Sequence, residues 1–247
     1  MPSDHPMQAV ILAGGQGSRL RPYTTVLPKP LMPIGDYPIL EIILRQLKRN
    51  QVGRVVLAVG YLSHLFEAFF QNGTRYGLQI SYSMEKEPLG TAGPLAAVID
   101  ELDEDFILLN GDLLTTLSFR NLFAHHKAQK AAATIGVFKR SVQIDFGVLH
   151  VNESRELVDY IEKPTYDFEV SMGINVLNTA SIRPYVSRGT RLDVPSLMKQ
   201  LRADGHRVCC YRENCRWLDI GRLDDYQMAI DIFAARRDEF LPDDDDR

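Results

Sequence analysis

The sequence predicts an α/β protein: an open, doubly wound, mostly parallel mixed sheet flanked by helices. Three observations carry this. Short, continuous apolar runs alternate with amphipathic stretches through the first 130 residues, the connections between them are short, and a glycine-rich segment directly follows the first apolar run. Continuous apolar runs suit strands buried on both faces, and a β-α-β-α rhythm with short links suits parallel pairing.

The elements follow in order. Residues 8–13 (QAVILA) form the first buried strand, and a glycine- and proline-rich loop runs on to about Asp36. Pro38 can open a helix, in which Ile39, Ile42, Ile43 and Leu47 recur at helical spacing. Residues 54–59 (RVVLAV) are the second strand, 62–70 a helix ending near Asn72-Gly73, and 78–82 the third strand. Residues 84–91 form a loop, and 91–102 a helix that tolerates Pro94 only near its start. Residues 105–109 (DFILL) are the fourth strand, and Ser118 caps the next helix, 118–130. The second half is richer in strands: 132–138, 146–151, 157–162, 171–177, 207–211 and 216–220. Helices are expected from near Asp193 or Pro195 to before Gly205, and over 222–239 with Tyr226, Ile230 and Phe233 on one face. We expect one domain over 7–240, in two halves, 7–138 and a β-rich 139–240 that adds a substrate-binding layer. Residues 1–6 and 241–247 are read as flexible termini.

Composition narrows the classes. With 45% hydrophobic and 24% charged residues, 247 residues can bury a core without disulfides. Net charge is −4; Asp243 to Asp246 with Arg247 carry −3 of it, which leaves −1 for the rest. That argues against nucleic-acid binding and makes the tail a solvated acidic run. Cys209, Cys210 and Cys215 lack a metal-ligand spacing and read as thiols of a reducing compartment. The N-terminus has no basic start and no run long enough for a membrane span, so a cytoplasmic protein without membrane contact is expected.

The chemistry begins in residues 13–31. This loop leaves the carboxyl end of the first strand, where open α/β sheets bind ligands. Residues 7–35 hold Arg19, Arg21 and Lys29 and no acidic residue, a local cationic patch that suits a polyphosphate. The glycines let backbone N–H groups approach phosphates. A dinucleotide fingerprint from Gly15 would need a small residue at Leu20, and a Walker A loop from Gly14 would need glycine at Arg19. By physics alone the segment is a phosphate-binding loop on an α/β sheet.

The pattern AGGxGxRLxPxTxxxPKPL over 13–31 resembles the signature of the sugar-1-phosphate nucleotidyltransferase family at every fixed position. The similarity continues in family order at residues 87–93 (EPLGTAG), 110–112 (NGD), 146–148 (FGV), 162–164 (EKP) and 217–221 (WLDIG), so it covers roughly 7–235. The resemblance implies a Rossmann-like, nucleotide-diphospho-sugar transferase fold, with 7–138 as the nucleotide-binding half and 139–240 as the sugar-phosphate-binding half. It also implies transfer of a nucleoside monophosphate from an NTP to a sugar 1-phosphate, with release of pyrophosphate.

That reaction brings two anions together, so cations and fixed dipoles must offset their repulsion. By resemblance, Leu12, Gly14, Gly15, Gly17, Ser18, Glu87, Gly90 and Thr91 contact the nucleotide. Arg19 holds the β- and γ-phosphates, and Lys29 the α-phosphate. Asp112 and Asp219 hold one Mg²⁺, as two carboxylates from separate strands can. Lys163 binds the acceptor phosphate and Glu162 accepts from sugar hydroxyls, with Asn110, Gly147, Ser171 and Asn175 completing the sugar-phosphate site. Where many relatives read Asn-Ala-Gly, this chain reads Ser171-Met172-Gly173, which alters the shape of that site.

Guanine presents two adjacent donors, which a carboxylate accepts together, so Glu87 suits GTP. The 87–93 loop also resembles that of mannose-1-phosphate guanylyltransferases. The favoured acceptors are mannose 1-phosphate and a heptose 1-phosphate; the chain length, without a C-terminal β-helix domain, fits single-domain enzymes. Two alternatives stand: uridylyl, thymidylyl or cytidylyl transfer to another hexose 1-phosphate, and a non-catalytic nucleotide-sugar-sensing subunit. The latter should lack the metal aspartate or loop lysine, yet Lys29, Asp112, Lys163 and Asp219 are all present. A homodimer or homo-oligomer is compatible with the sequence. His125-His126 reads as a solvated pair on an exposed helix face, and Trp217 as core packing.

Overall fold

The computed structural model describes residues 6–242. The expected leader and acidic tail therefore lie outside the described residues at 1–5 and 243–247.

Seven strands build the central sheet: β1 (Met7–Leu12), β2 (Val52–Val59), β3 (Gln79–Met84), β4 (Asp105–Asn110), β5 (Ala133–Gln143), β6 (Thr165–Asn178) and β7 (Val208–Tyr211). Their spatial order is β7-β5-β6-β4-β1-β2-β3. Strand β6 runs antiparallel to both neighbours and every other pairing is parallel, so the mostly parallel, mixed sheet is as expected. From β1 the chain winds outward to β2 and β3, then returns to place β4 on the other side. The order reverses between β1 and β4, where Leu12 stands opposite Asn110 and the Gly111 N–H donates to the Leu12 carbonyl at 2.9 Å. A crevice opens at such a reversal.

Both faces of β1 are covered. Ala9 and Ile11 pack under helix α1 (Ile39–Arg49), while Val10 faces the second apolar layer with Leu95, Leu197 and Leu201. That is why this strand reads as continuously apolar. The other helices longer than a single turn are α2 (Ser63–Phe70), α3 (Phe119–Gln129), α4 (Val194–Ala203) and α5 (Leu223–Ala235). As predicted, the Ser118 hydroxyl caps α3, accepting from the Asn121 N–H at 3.2 Å. Leu241, assigned to a flexible terminus, is buried.

Three expectations need correction. The helix over 91–102 shrinks to one α-turn, Leu95–Val98. Leu95, Ala96 and Ala97 donate their N–H groups to carbonyls three residues back, at Ala92, Gly93 and Pro94, so the segment before it is wound in tight turns, with the Ala92 and Gly93 N–H groups held on the Leu192 carbonyl. His126 is 1% exposed, not solvated, because it follows Phe119 and Leu122 on the buried face of α3. Its ring contacts the Thr134 hydroxyl at 2.9 Å and Asp105 at 3.2 Å; His125 instead lies against the Tyr211 ring. The strands near 146–151 and 157–162 do not join the central sheet. They form a separate two-stranded antiparallel ribbon, Val148–Val151 with Leu157–Ile161. The ribbon stands on the far ends of β5 and β6, which run past the expected limits and pair from Ala133–Leu177 to Gln143–Thr165.

Candidate active site

The site starts where β1 ends. The Ala13 N–H still pairs with the Ala58 carbonyl at 2.8 Å, after which the loop leaves the sheet. Gly17 adopts φ +60°, and a Cβ there would lie 2.9 Å from Thr24 and 3.2 Å from Lys29. Glycine is therefore needed both for backbone conformation and for the close fold of the loop on itself. The Thr24 hydroxyl closes that fold by donating to the Gly17 carbonyl at 2.8 Å.

Lys29 sits in a short helical turn, 6% exposed, and its ammonium donates to Asp112 Oδ2 at 2.6 Å. Asp112 reaches it from the turn after β4. The next residues, Leu113–Thr115, pair antiparallel with Trp217–Asp219, with Leu113 opposite Asp219. The Ile220 N–H donates to the Asp112 carbonyl at 3.1 Å. This small ribbon brings together two carboxylates separated by about a hundred residues. Burial in the cleft wall pushes the Asp219 carboxyl up, and the Asp112 charge adds to this; Lys29 and Arg19 act in the opposite sense. Gly221 leaves room for the convergence. A Cβ on it would lie 3.2 Å from Asp219 Oδ2, 3.4 Å from Asp225 Oδ2 and 3.5 Å from an Arg19 guanidinium nitrogen.

Three cavities meet around these groups. The first, about 230 Å³, is lined by Leu12, Gly15, Gly17, Ser18, Arg19, Lys29 and Asp112. The second, about 280 Å³, begins at Leu12 and is lined by Thr91, Asn110, Ser171, Met172, Asn175 and Asp219. The third, about 500 Å³, lies beyond Arg19 and Asp219 and adds Phe138, Arg140 and Arg222. Trp217 is partly buried and packs against the core as expected, and it also stands between the second and third cavities, its indole N–H donating to the Met172 carbonyl at 2.9 Å. A register shift on β6 between Ser171 and Asn175 shapes the second cavity. There Gly173, at φ +71°, lets Asn110 approach to within 2.5 Å of where a Cβ would be. Asn175 is 3% exposed, and its amide oxygen has no hydrogen-bond partner among the described residues. Met172 is buried in the apolar core and contributes a wall.

Other predicted residues stand elsewhere. Gly14 packs its backbone against Glu85, whose Oε1 lies 2.8 Å from the position a Cβ would take. Burial pushes the Glu85 carboxyl up, partly offset by the Leu89 N–H. Glu87 is exposed and shares a different cleft, about 640 Å³, with Glu85 and Arg188. Gly90, at φ +81°, is pressed against Leu192 and Asp193. Gly147 lies under the Tyr160 ring on the exposed arm; Glu162 and Lys163 are exposed there too, and none of them lines the three cavities. Sequence reasoning missed Glu85, Arg140 and Arg222. Glu85 stands just after β3, at the same end of the sheet as the loop, which is the signal that could have found it.

The comparisons with known proteins bear on the family and the fold. A family model described as "Nucleotidyl transferase" matches residues 8–235. A mannose-1-phosphate guanyltransferase of Schizosaccharomyces pombe is 35% identical, over 96% of this chain and 67% of its own length. A UTP--glucose-1-phosphate uridylyltransferase of Synechocystis sp. is 29% identical, over 91% and 62%. This chain thus spans about two thirds of those relatives' length. Among solved structures, a putative glucose-1-phosphate thymidylyltransferase from Bacillus anthracis superposes with a TM-score of 0.74 at 24% identity, over 95% of this chain and 98% of that one. This places the sheet in the same fold.

Proposed function

Because the chain belongs to the nucleotidyl transferase family, we propose that it transfers a nucleoside monophosphate from an NTP to a sugar 1-phosphate and releases pyrophosphate. The observation that carries this is the Lys29–Asp112 pair in the wall of the glycine-loop cavity, with Arg19 beside it and Asp219 next to Gly221, which lines the same cavity. In this reading the loop glycines, Ser18 and Arg19 take the polyphosphate. A bound nucleotide gives Lys29 its α-phosphate and frees the Asp112 carboxylate.

Asp112 and Asp219 suit one Mg²⁺. They are hard oxygen donors, and the upward push that the Asp112 charge exerts on Asp219 is what a divalent cation would relieve. When bound, the cation would neutralise charge on the phosphates. The protein's own part is to hold the two carboxylates through the ribbon, and to bring the acceptor oxygen in line with the α-phosphorus.

The second cavity is assigned to the acceptor sugar. Its support is the unpartnered amide oxygen of Asn175 together with Asn110, Ser171 and Thr91, groups that can exchange hydrogen bonds with hydroxyls. Lys163, Glu162 and Gly147 are assigned to the acceptor phosphate and sugar by motif. A pyrophosphate-release assay over a matrix of NTPs and sugar 1-phosphates tests the whole reading. Turnover with at least one pair is expected, and silence with every pair would make the chain a sensor rather than an enzyme.

For the base we propose GTP, and for the sugar mannose 1-phosphate or a heptose 1-phosphate. Relatives transferring guanylyl and uridylyl groups both match this chain, so the support for guanine is chemical. Two carboxylates, Glu85 and Glu87, follow the end of β3 beside the loop, and a carboxylate accepts both of guanine's adjacent donors. Losing that charge-assisted pair is worth ~1.5–3 kcal/mol, roughly 10- to 100-fold. Glu85→Gln or Glu87→Gln is therefore expected to lower the ratio of kcat/KM for GTP over UTP by at least ~10-fold. An unchanged ratio in both variants would sink the carboxylate argument.

A further inference from the structure

The third cavity, about 500 Å³, adjoins both of the others: it shares Arg19 and Gly221 with the first, and Trp217 and Asp219 with the second. Two further arginines line it, Arg140 on β5 and Arg222 at the start of α5, and neither belongs to the motifs that carry the family resemblance. Arg19, Arg140 and Arg222 form no ion pair among the described residues, whereas Arg183, Arg212 and Arg216 elsewhere on the molecule each meet a carboxylate. An Arg19 guanidinium nitrogen comes within 3.5 Å of where a Cβ on Gly221 would stand, and Arg222 is the next residue, so two cations enter the cavity from adjacent points. Of the two carboxylates in the wall, Asp225 accepts the Arg222 backbone N–H at 2.8 Å, and Asp219 is the one assigned to the cation.

Three guanidinium groups drawn to one cavity repel one another, and an anion between them offsets that repulsion. Each is a planar fork that matches the oxygens of a phosphate, and each stays charged at neutral pH. One wall is apolar, with the Phe138 and Trp217 rings 5.6 Å apart beside Leu218 and Met228; such a wall lowers the local dielectric and strengthens charge pairing. A neutral sugar finds little to bind there. No hydroxyl or amide side chain lines the third cavity among the described residues, whereas Thr91, Asn110, Ser171 and Asn175 line the second.

Given transferase activity, on which this rests, we propose that the third cavity receives the pyrophosphate as it leaves, with Arg140 and Arg222 holding it beyond Arg19. In the reaction an oxygen of the acceptor phosphate bonds to the α-phosphorus. The bond from that phosphorus to the oxygen bridging the β-phosphate breaks, and its electron pair stays on that oxygen. The departing group therefore gains negative charge as it separates, and cations not already neutralised by a partner stabilise it most. Arg19, assigned to the β- and γ-phosphates, lines both cavities and so joins the distal end of the nucleotide to Arg140 and Arg222. A second phosphate or a carboxylate on the acceptor would meet the same chemistry; continuity through Arg19 favours pyrophosphate.

Titration calorimetry of the full-length chain with inorganic pyrophosphate, in magnesium chloride, tests this without turnover. Arg140→Gln and Arg222→Gln should each weaken pyrophosphate binding roughly tenfold, as loss of a charge-assisted contact does. Mannose 1-phosphate should bind both variants as it binds the parent. Arg202→Gln, at an exposed arginine of α4 outside the three cavities, should leave pyrophosphate binding unchanged. All three side chains are exposed, so each variant should melt with the parent. In the reverse reaction, Arg140→Gln and Arg222→Gln should raise KM for pyrophosphate and leave KM for the nucleotide sugar unmoved. Pyrophosphate that fails to bind the parent, or that binds both variants as tightly as the parent, overturns the proposal. So does a loss confined to mannose 1-phosphate, which would give the cavity to the acceptor, or an equal loss in the Arg202 control. Any of these results in a chain that turns over an NTP and a sugar 1-phosphate removes the site and leaves the transferase reading standing. Arginine-dependent pyrophosphate binding in a chain that turns over no pair keeps the site and removes that reading.

Discussion

Asp112→Asn is expected to lower turnover at least ~10²-fold, the loss typical of removing one preorganised stabiliser of transition-state charge. The substitution keeps the shape of the side chain and removes its charge. Two consequences should follow, because Asp112 faces two partners in this reading. Without nucleotide, Lys29 is left 6% exposed with its carboxylate gone, so the variant should melt lower than the parent. With NTP, a phosphate becomes the missing counter-charge, so the nucleotide should raise the variant's Tm by more than it raises the parent's. Asp219→Asn should lower turnover comparably and lacks the first effect, since Lys29 keeps Asp112. A scanning-calorimetry series with and without NTP, beside the pyrophosphate assay, separates the two. Near-normal turnover in either variant removes that residue from the proposed metal site.

The two aspartates also mark the boundary of what the sequence discloses by itself. The loop is legible because its glycines, its arginines and its missing carboxylates lie in one continuous segment, directly after a buried strand. The convergence of Asp112 with Asp219 is legible only through resemblance. It depends on a three-residue ribbon, Leu113–Thr115 on Trp217–Asp219, too short to leave a hydrophobic period. The departures have physical causes as well. The helix expected over 91–102 has the right composition, but its first residues are wound in tight turns and held on the Leu192 carbonyl, a contact far away in sequence that local pattern does not report. The arm's strands carry alternating and consecutive apolar residues, which ordinarily report burial in a core. Here they stand in solvent, and pattern alone cannot say which apolar strands leave the sheet. For the base, Glu87 belongs to the matching motif, whereas Glu85 is the carboxylate packed on Gly14, and only the fold distinguishes them.

His126 departs most plainly from its expected solvated place, although its spacing from Phe119 and Leu122 already sets it on the buried face, and it leads to the second large effect. At the amino end of β4, Asp105 is 7% exposed and meets His126, Lys127 and the Asn178 amide together. Burial alone would raise its carboxyl, but these three donors more than offset that and hold it at about 2. An unfolded aspartate titrates near ~3.9. The folded state therefore gains stability from ionised Asp105 that is fully present above pH ~4 and is lost as pH falls through about 2, worth on the order of 2–3 kcal/mol. Asp105→Ala leaves the buried His126 and the Asn178 amide without their shared acceptor, and should cost about 3 kcal/mol or more. For a chain of this size that lowers Tm by on the order of 10 °C. Asp105→Asn keeps the packing, and its unfolding free energy should fall less steeply than the parent's between pH ~4 and ~2. An equal slope in both proteins would mean that other carboxylates set the acid limit. The length of β4 makes the effect separable from catalysis. Its six residues set Asp105 roughly 17 Å from Asn110 at the crevice, so KM for NTP at neutral pH and moderate temperature should be unmoved. A rise in KM without a change in melting would instead tie this end of the sheet to the nucleotide site.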